Sequence, residues 1–441
     1  MVTPRQLVLV RQVMAAMVQD RPFGAQLPVS PSFSGFTSDS VCCVLGAVPR
    51  YFFLSSRSVG RQRLTARHRS PLRQRNLRQE ARDSRVGVCI GGPAAHRDPA
   101  RVRLGVAKAM EFYSWVESSC GFVHNEGTCR EMARVLARAN ALRCLWGFLG
   151  ANQRLVGTPT MTAVIKVLGE EGLSREALHA FYRMKQLHCK PDVQTHNVVI
   201  AALCQVGNLK RARFLLEQME LPGARYPPDT YTYTILIASY CRRSMQTGCR
   251  KAVRRRMWEA NRMFRHMLFR GLVPDVVTYN CLIDGLCKTY RIGRALELFD
   301  DMLLRGLSPN RVTYNSFIRY FSAVNEVDKA IQMMRAMASK GHGTPTSSSY
   351  TPIIHALCEG GRLNEGRNLL VEMVSGGSIP REYTYKLVSQ TLIASGEALL
   401  PIDICRRINA GVEARLRHAI QAKPLMDGGG LLNNEKGDLP C

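Results

Sequence analysis

Apolar residues return at three- and four-residue spacing, in pairs of short stripes, along most of the chain. Between Val276 and Asn310 the first stripe is Tyr279, Leu282, Ile283, Leu286 and Cys287, with Thr278 placed to cap its start. The second is Ala295, Leu298, Phe299 and Met302, ended by Gly306 and Pro309. Each stripe predicts a short amphipathic helix. The same residue types then recur at intervals of roughly 35 positions, the mark of a repeat architecture. An aromatic stands at Tyr233, Tyr279, Tyr314, Tyr350 and Tyr385, and a cysteine at Cys204, Cys241, Cys287 and Cys358. Alanine recurs from Ala177 to Ala330, methionine from Met184 to Met373, and a proline closes each unit from Pro191 to Pro380.

A helix pair this small cannot cover its own apolar faces, so neighbouring pairs must stack into one continuous core. The expected class is therefore all-α, a superhelical α-solenoid of helix-turn-helix units. Six well-formed units are expected at 158–192, 193–229, 230–275, 276–310, 311–346 and 347–381. Degenerate units precede them over 36–157, where a stripe around Val41, Val44, Leu45 and Val48 meets its partner only at Val106 to Val116. The interruption, 56–103, is crowded with arginine and poor in apolar residues. It reads either as an arm on a polyanion's phosphates or as a solvated insert. Residues 382–426 read as a partial repeat with a closing cap, and the glycine-bearing tail 427–441 as disordered.

The third unit carries an extra basic stretch, with Arg250, Lys251, Arg254, Arg255 and Arg256 between its two stripes. A phosphate-gripping loop and a solvated lengthening of the second helix both fit it. Residues 1–35 hold Arg5, Arg11 and Arg21, a single acid at Asp20, and an apolar series at Leu7, Val10, Val13, Met14 and Met17. That composition fits an organellar targeting segment, with an ordinary first helix of the fold as the other reading.

Composition narrows the partner. A formal charge of +27 on 441 residues predicts attraction to a polyanion. No apolar run reaches the length of a membrane span, so membrane insertion is not expected. The 15 cysteines include no C-x-x-C pair and four share one helical position, so they read as small core residues rather than a zinc site or disulfide frame. Phosphate-loop, G-x-S-x-G and H-E-x-x-H motifs are absent from the sequence. His124-Asn125-Glu126 matches the H-x-E of zinc deaminases, yet no P-C-x-x-C follows it. No enzyme activity, cofactor, metal or small-molecule substrate is expected.

The motif VTYNCLIDGLCK, with ALELFDDM and a closing Pro-Asp or Pro-Asn, resembles the pentatricopeptide repeat. The tryptophan, Leu-Gly and tyrosine pattern of the related tetratricopeptide repeat is missing. The chain is similar to plant organellar members of the pure P class, which implies a right-handed superhelix that binds single-stranded RNA. In that family the residue after the tyrosine position and the last residue of the unit read one base. The pairs implied here are Thr162 with Asp192, Asn197 with Asp229, Thr234 with Asp275, Asn280 with Asn310, Asn315 with Thr346, and Thr351 with Arg381. By the family's code they imply G-U-G-pyrimidine, 5′ to 3′ from the amino-terminal end, then a pyrimidine, with Arg381 outside the pattern. Tyr231, Val277 and Val312 hold the positions where the family wedges bases between units. Thr, Asn and Asp also cap helices, and capping alone would account for any single pair.

The resemblance implies a monomer acting on mitochondrial or chloroplast transcripts, through stability, processing, splicing or translation. About six readable bases make a short footprint in any transcriptome, which leaves room for helper proteins. A tetratricopeptide-like scaffold holding a peptide is the second function these repeats could serve.

Overall fold

The computed structural model describes residues 4–23, 36–53, 97–244 and 249–421. Most of the arginine-rich insert and the expected disordered tail lie outside these residues. The described residues form nineteen helices in two compact units, Met1–Pro309 and Asn310–Cys441.

The first unit opens with α1 (Pro4–Val18), α2 (Ser38–Phe52), α3 (Pro99–Cys120), α4 (Glu126–Arg138) and α5 (Leu142–Ala151). Helix pairs follow: α6 (Thr158–Glu170) with α7 (Ser174–Arg183), α8 (Val193–Val206) with α9 (Leu209–Met219), α10 (Thr230–Ser244) with α11 (Arg250–Phe269), and α12 (Val276–Lys288) with α13 (Ile292–Leu304). The leading helices α1, α2, α4, α6, α8, α10 and α12 pack side by side in one row. The second helices lie against their own leading helix, and α7, α9 and α11 also touch the next one in the row. In the second unit, α14 (Arg311–Ala323), α16 (Ser347–Glu359) and α18 (Glu382–Ser395) form such a row, backed by α15 (Val327–Ser339) and α17 (Leu363–Ser375). Helix α19 (Ile402–Gln421) buries Ile404 and Ile408 beside Val374 on α17.

The apolar stripes are the buried faces of these helices. Leu282, Ile283, Leu286 and Cys287 on α12 and Ala295 and Met302 on α13 are all buried. The recurring tyrosine is amphipathic in a useful way, because its ring fills the core while its hydroxyl needs a partner. Tyr279 donates to Asp301 Oδ2 at 2.5 Å, Tyr233 to Glu220 Oε1 at 2.5 Å and Tyr350 to Glu372 Oε1 at 2.9 Å. Each bond ties a leading helix to a second helix or, for Glu220, to the residue that caps its end.

Adjacent leading helices come close where one of them has no side chain. A Cβ on Gly169 of α6 would lie 2.6 Å from Ala202 Cβ on α8, and one on Gly285 of α12 would lie 2.9 Å from Cys241 Sγ on α10. Cys241 and Ala202 thus fill the seams between leading helices as small buried groups. Burial pushes the Cys204 thiol up to about 11, as expected of a core thiol rather than a reactive one.

At the amino-terminal end, Val13, Ala16 and Met17 are fully buried and α1 packs on α2. Phe23 closes onto Phe112 and Trp115 at ring distances of 5.7 and 5.4 Å, and Lys108 Nζ holds Asp20 at 2.7 Å. His124, in the deaminase-like triplet, stacks on Tyr113 at 3.5 Å and is bonded through both ring nitrogens, to Thr128 Oγ1 and Tyr113 O.

Candidate nucleic-acid interface

Each leading helix of the repeat array needs a partner for its first free N–H groups, and at α8, α10 and α12 an acid just before the helix supplies one. Asp192 Oδ1 accepts from Thr195 N and Thr195 Oγ1, both at 2.7 Å. Asp229 Oδ1 does the same for Thr232 and Asp275 Oδ1 for Thr278, again at 2.7 Å. In the second unit Asn310 caps α14, and Thr346 with Ser349 forms a capping box on α16. The cap of α12 is therefore Asp275, and Thr278, expected in that role, stands three residues inside the helix. Replacing Asp275 with alanine is expected to cost about 1 kcal/mol, the usual worth of such a cap, read as a shift in the guanidinium unfolding midpoint.

The capping hydroxyls reach further. Thr195 Oγ1 lies 2.9 Å from Thr162 Oγ1 on the preceding leading helix, and Thr278 Oγ1 lies 2.6 Å from Thr234 Oγ1. Thr232 Oγ1 lies 2.6 Å from Asn197 Oδ1 and shares its one proton between that oxygen and Asp229 Oδ1, while Asn197 Nδ2 donates to Asp229 Oδ1 at 3.2 Å and Oδ2 at 3.4 Å. Ser349 Oγ donates to Asn315 Oδ1 at 2.7 Å. Both members of the pairs Thr162/Asp192, Asn197/Asp229, Thr234/Asp275 and Asn315/Thr346 are thus joined through one hydroxyl on the later helix. Capping uses Oδ1 of Asp192 and Asp275; their Oδ2 atoms accept no hydrogen bond among the described residues.

Asn280 is buried on α12 in the first unit, and Asn310 caps α14 in the second. Thr351 and Arg381 break the scheme. Thr351 Oγ1 is a buried atom without a hydrogen-bond partner, and Arg381 stands at the start of α18 with no side-chain cap.

In the first unit Thr162, Asn197 and Asp229 open into a cleft of about 920 Å³, also lined by Pro159, Gln194 and Tyr231, while Asp192, Thr234, Asp275 and Asn280 do not line it. Tyr231, Val277 and Val312, expected to flank bases, are 61, 55 and 54 % exposed, beside tyrosines that are almost fully buried. Arg130 and Lys166 also line the cleft and were not among the candidates. Lys166 lies four residues after Thr162, one helical turn along the same face, and that spacing is the signal that finds it.

The basic stretch of the third unit is a lengthened helix: α11 has 20 residues where α12 and α13 have 13 each. Arg250, Lys251, Arg254 and Arg255 are exposed on its first turns, and the half-buried Arg256 donates to Arg243 O at 2.5 Å. Among the described residues no cluster of three or more His, Cys, Asp or Glu could hold a metal ion, and no helix is long and apolar enough to cross a membrane.

The PPR repeat family matches residues 156–205, 197–242, 252–288, 274–321 and 309–358, and the PPR repeat matches 348–378. A pentatricopeptide repeat-containing protein of Arabidopsis thaliana is 57% identical over 425 residues, which are 95% of this chain and 93% of that protein. Another from the same plant, named as mitochondrial, is 26% identical over 184 residues, 41% of this chain and 35% of its own length. Among solved structures, the maize pentatricopeptide repeat protein PPR10 aligns over 95% of this chain and 66% of its own at 17% identity and a TM-score of 0.39. Yeast Rmd9p in complex with target RNA aligns over 95% of this chain and 96% of its own at 10% identity and a TM-score of 0.40. With repeat matches running through the central array and 57% identity along nearly the whole of both chains, this protein belongs to the pentatricopeptide repeat family.

Proposed function

We propose that the protein binds single-stranded RNA on the leading helices of its repeats and reads one base per repeat, as the family does. What carries this reading is the recurrence of one polar arrangement, a side chain joined through a hydroxyl to a capping acid, at Thr162, Asn197 and Thr234. Capping alone explains the acids; it does not explain a second polar residue placed against each of them. The acid selects by donor pattern. A carboxylate accepts from guanine N1–H or uracil N3–H, whereas adenine and cytosine present a lone pair at that place. Thr or Asn beside it then separates the larger ring from the smaller, which orders the first three bases as G-U-G. Tyr231, Val277 and Val312 supply exposed apolar surface against which base faces pack. Lys166, Arg130 and the exposed basic turns of α11 supply positive charge for the phosphates.

A protein that coats RNA this way acts on a transcript without an active site, by shielding it from nucleases or refolding it for processing, splicing or translation. It works as a monomer, with helper proteins extending a short footprint. The compartment we propose is the mitochondrion, with the chloroplast as the alternative; imaging a fluorescent fusion of the full chain decides between them.

The test is a fluorescence titration of the full chain with single strands carrying G-U-G-pyrimidine. Binding should fall linearly in log–log with salt, by about 0.7 per phosphate contact. Asn197→Thr should move the preference from U to G at the second base alone, by about tenfold. A peptide-holding scaffold would show neither effect, and a flat response to both salt and Asn197→Thr overturns the RNA reading.

A further inference from the structure

The last junction of the second unit is wired differently from the others. Between α14 and α16 the inner hydroxyl, Ser349 Oγ, bonds the residue after the tyrosine, Asn315. Between α16 and α18 the equivalent hydroxyl, Thr384 Oγ1, instead lies 3.2 Å from His355 Nε2, and Thr351 Oγ1 is left buried without a partner. His355 sits four residues after Thr351, the place that Lys166 and Ala201 hold in the cleft of the first unit. Its ring meets Tyr383 edge-on at 5.3 Å. Tyr383 is 69 % exposed and stands two residues before Tyr385, as Tyr231, Val277 and Val312 stand before their own tyrosines. Arg381, exposed and with no side-chain hydrogen bond or ion pair among the described residues, takes the position of the capping acid.

On the RNA-reading proposal above, we infer that Arg381, Tyr383 and His355 form a terminal nucleotide site for guanine, replacing the paired readout used by the earlier units. The guanidinium has donors only, and the Hoogsteen edge of guanine offers it two adjacent acceptors, O6 and N7. Adenine sets a donor beside its one acceptor on that edge, and a pyrimidine covers less of the Tyr383 ring. His355 is a positioning residue: Thr384 fixes one side of the imidazole, whose edge contact holds Tyr383 upright. Burial keeps this imidazole below its ordinary pKa, so at neutral pH it adds no charge to repel Arg381.

Four RNAs of sequence G-U-G-C-C-X, differing only at X, test this by fluorescence anisotropy on the full chain. The strand with X as G should bind about tenfold tighter than those with C or U. Arg381→Ala should abolish that difference while leaving the G-U-G preference intact, and Tyr383→Ala should weaken all four strands. Both residues are exposed, so the fold tolerates the changes. His355→Gln, which keeps a bond to Thr384, should retain more of the preference than His355→Ala. Equal binding to all four strands by the parent chain, or an unchanged preference in Arg381→Ala, overturns the terminal site while G-U-G selection still stands. Loss of G-U-G selection in the parent chain overturns the site and the reading together.

Discussion

Gly169→Val is expected to lower stability by about 3 kcal/mol, at the upper end of the cost of overpacking a core, and to weaken RNA binding with it. A Cβ at Gly169 would sit 2.6 Å from Ala202 Cβ and 3.2 Å from Ala202 Cα. Neither atom can move by changing a rotamer, so α6 and α8 must separate as whole helices. Their separation stretches the 2.9 Å contact between Thr162 and Thr195, which belongs to the first of the proposed base-reading pairs. Chemical denaturation reads the first effect and titration with G-U-G strands the second. Ala202→Gly in the same chain removes the colliding carbon and should restore part of both, because neighbouring substitutions couple. A stability loss without any loss of binding would show that the leading-helix spacing does not set the reading geometry.

The helix pairs and their period are legible in the sequence because an amphipathic stripe is a local property. Tyr279 to Cys287 specifies α12 whatever lies beside it. Cap identity is less legible: Asp275 and Thr278 both have capping chemistry, and only the turn at which α12 begins decides that the acid caps while the hydroxyl points across to Thr234. Those cross-helix bonds depend on the register between two helices thirty-odd residues apart, which no single stripe encodes. The basic stretch of the third unit was ambiguous for another reason. Arginine is a good helix former and fully soluble, so Arg250 to Arg256 suits a loop or a helix equally until Met257, Ala260 and Phe264 are seen to extend the buried stripe. Family resemblance supplied the proposed reading positions, and the structure added what the resemblance lacked: Lys166 in the cleft and the rewired junction at His355.

Asn197→Asp is expected to be the most damaging single-atom-scale change in the reading row, and its damage should depend on pH. Asn197 is 3 % exposed, and its amide nitrogen donates to both oxygens of Asp229. A carboxylate in its place turns that donor into an acceptor and sets two like charges within about 4 Å, so one proton of the pair binds far more tightly in the folded state than in the unfolded chain. A group whose folded pKa is raised loses stability as pH rises. The variant should therefore unfold more easily than the parent by about 3 kcal/mol at pH 7, and the deficit should shrink as pH falls toward 4, where a shared proton restores a donor between the carboxyl groups. Parent and variant denaturation curves at pH 7 and pH 5 measure it. Uracil selection at the second base should vanish in the variant at pH 7, since the pair then offers acceptors alone. A deficit equal at both pH values would mean that the Asn197 amide does not rest on Asp229, and with it the pairing of reading residue to capping acid would lose its clearest example.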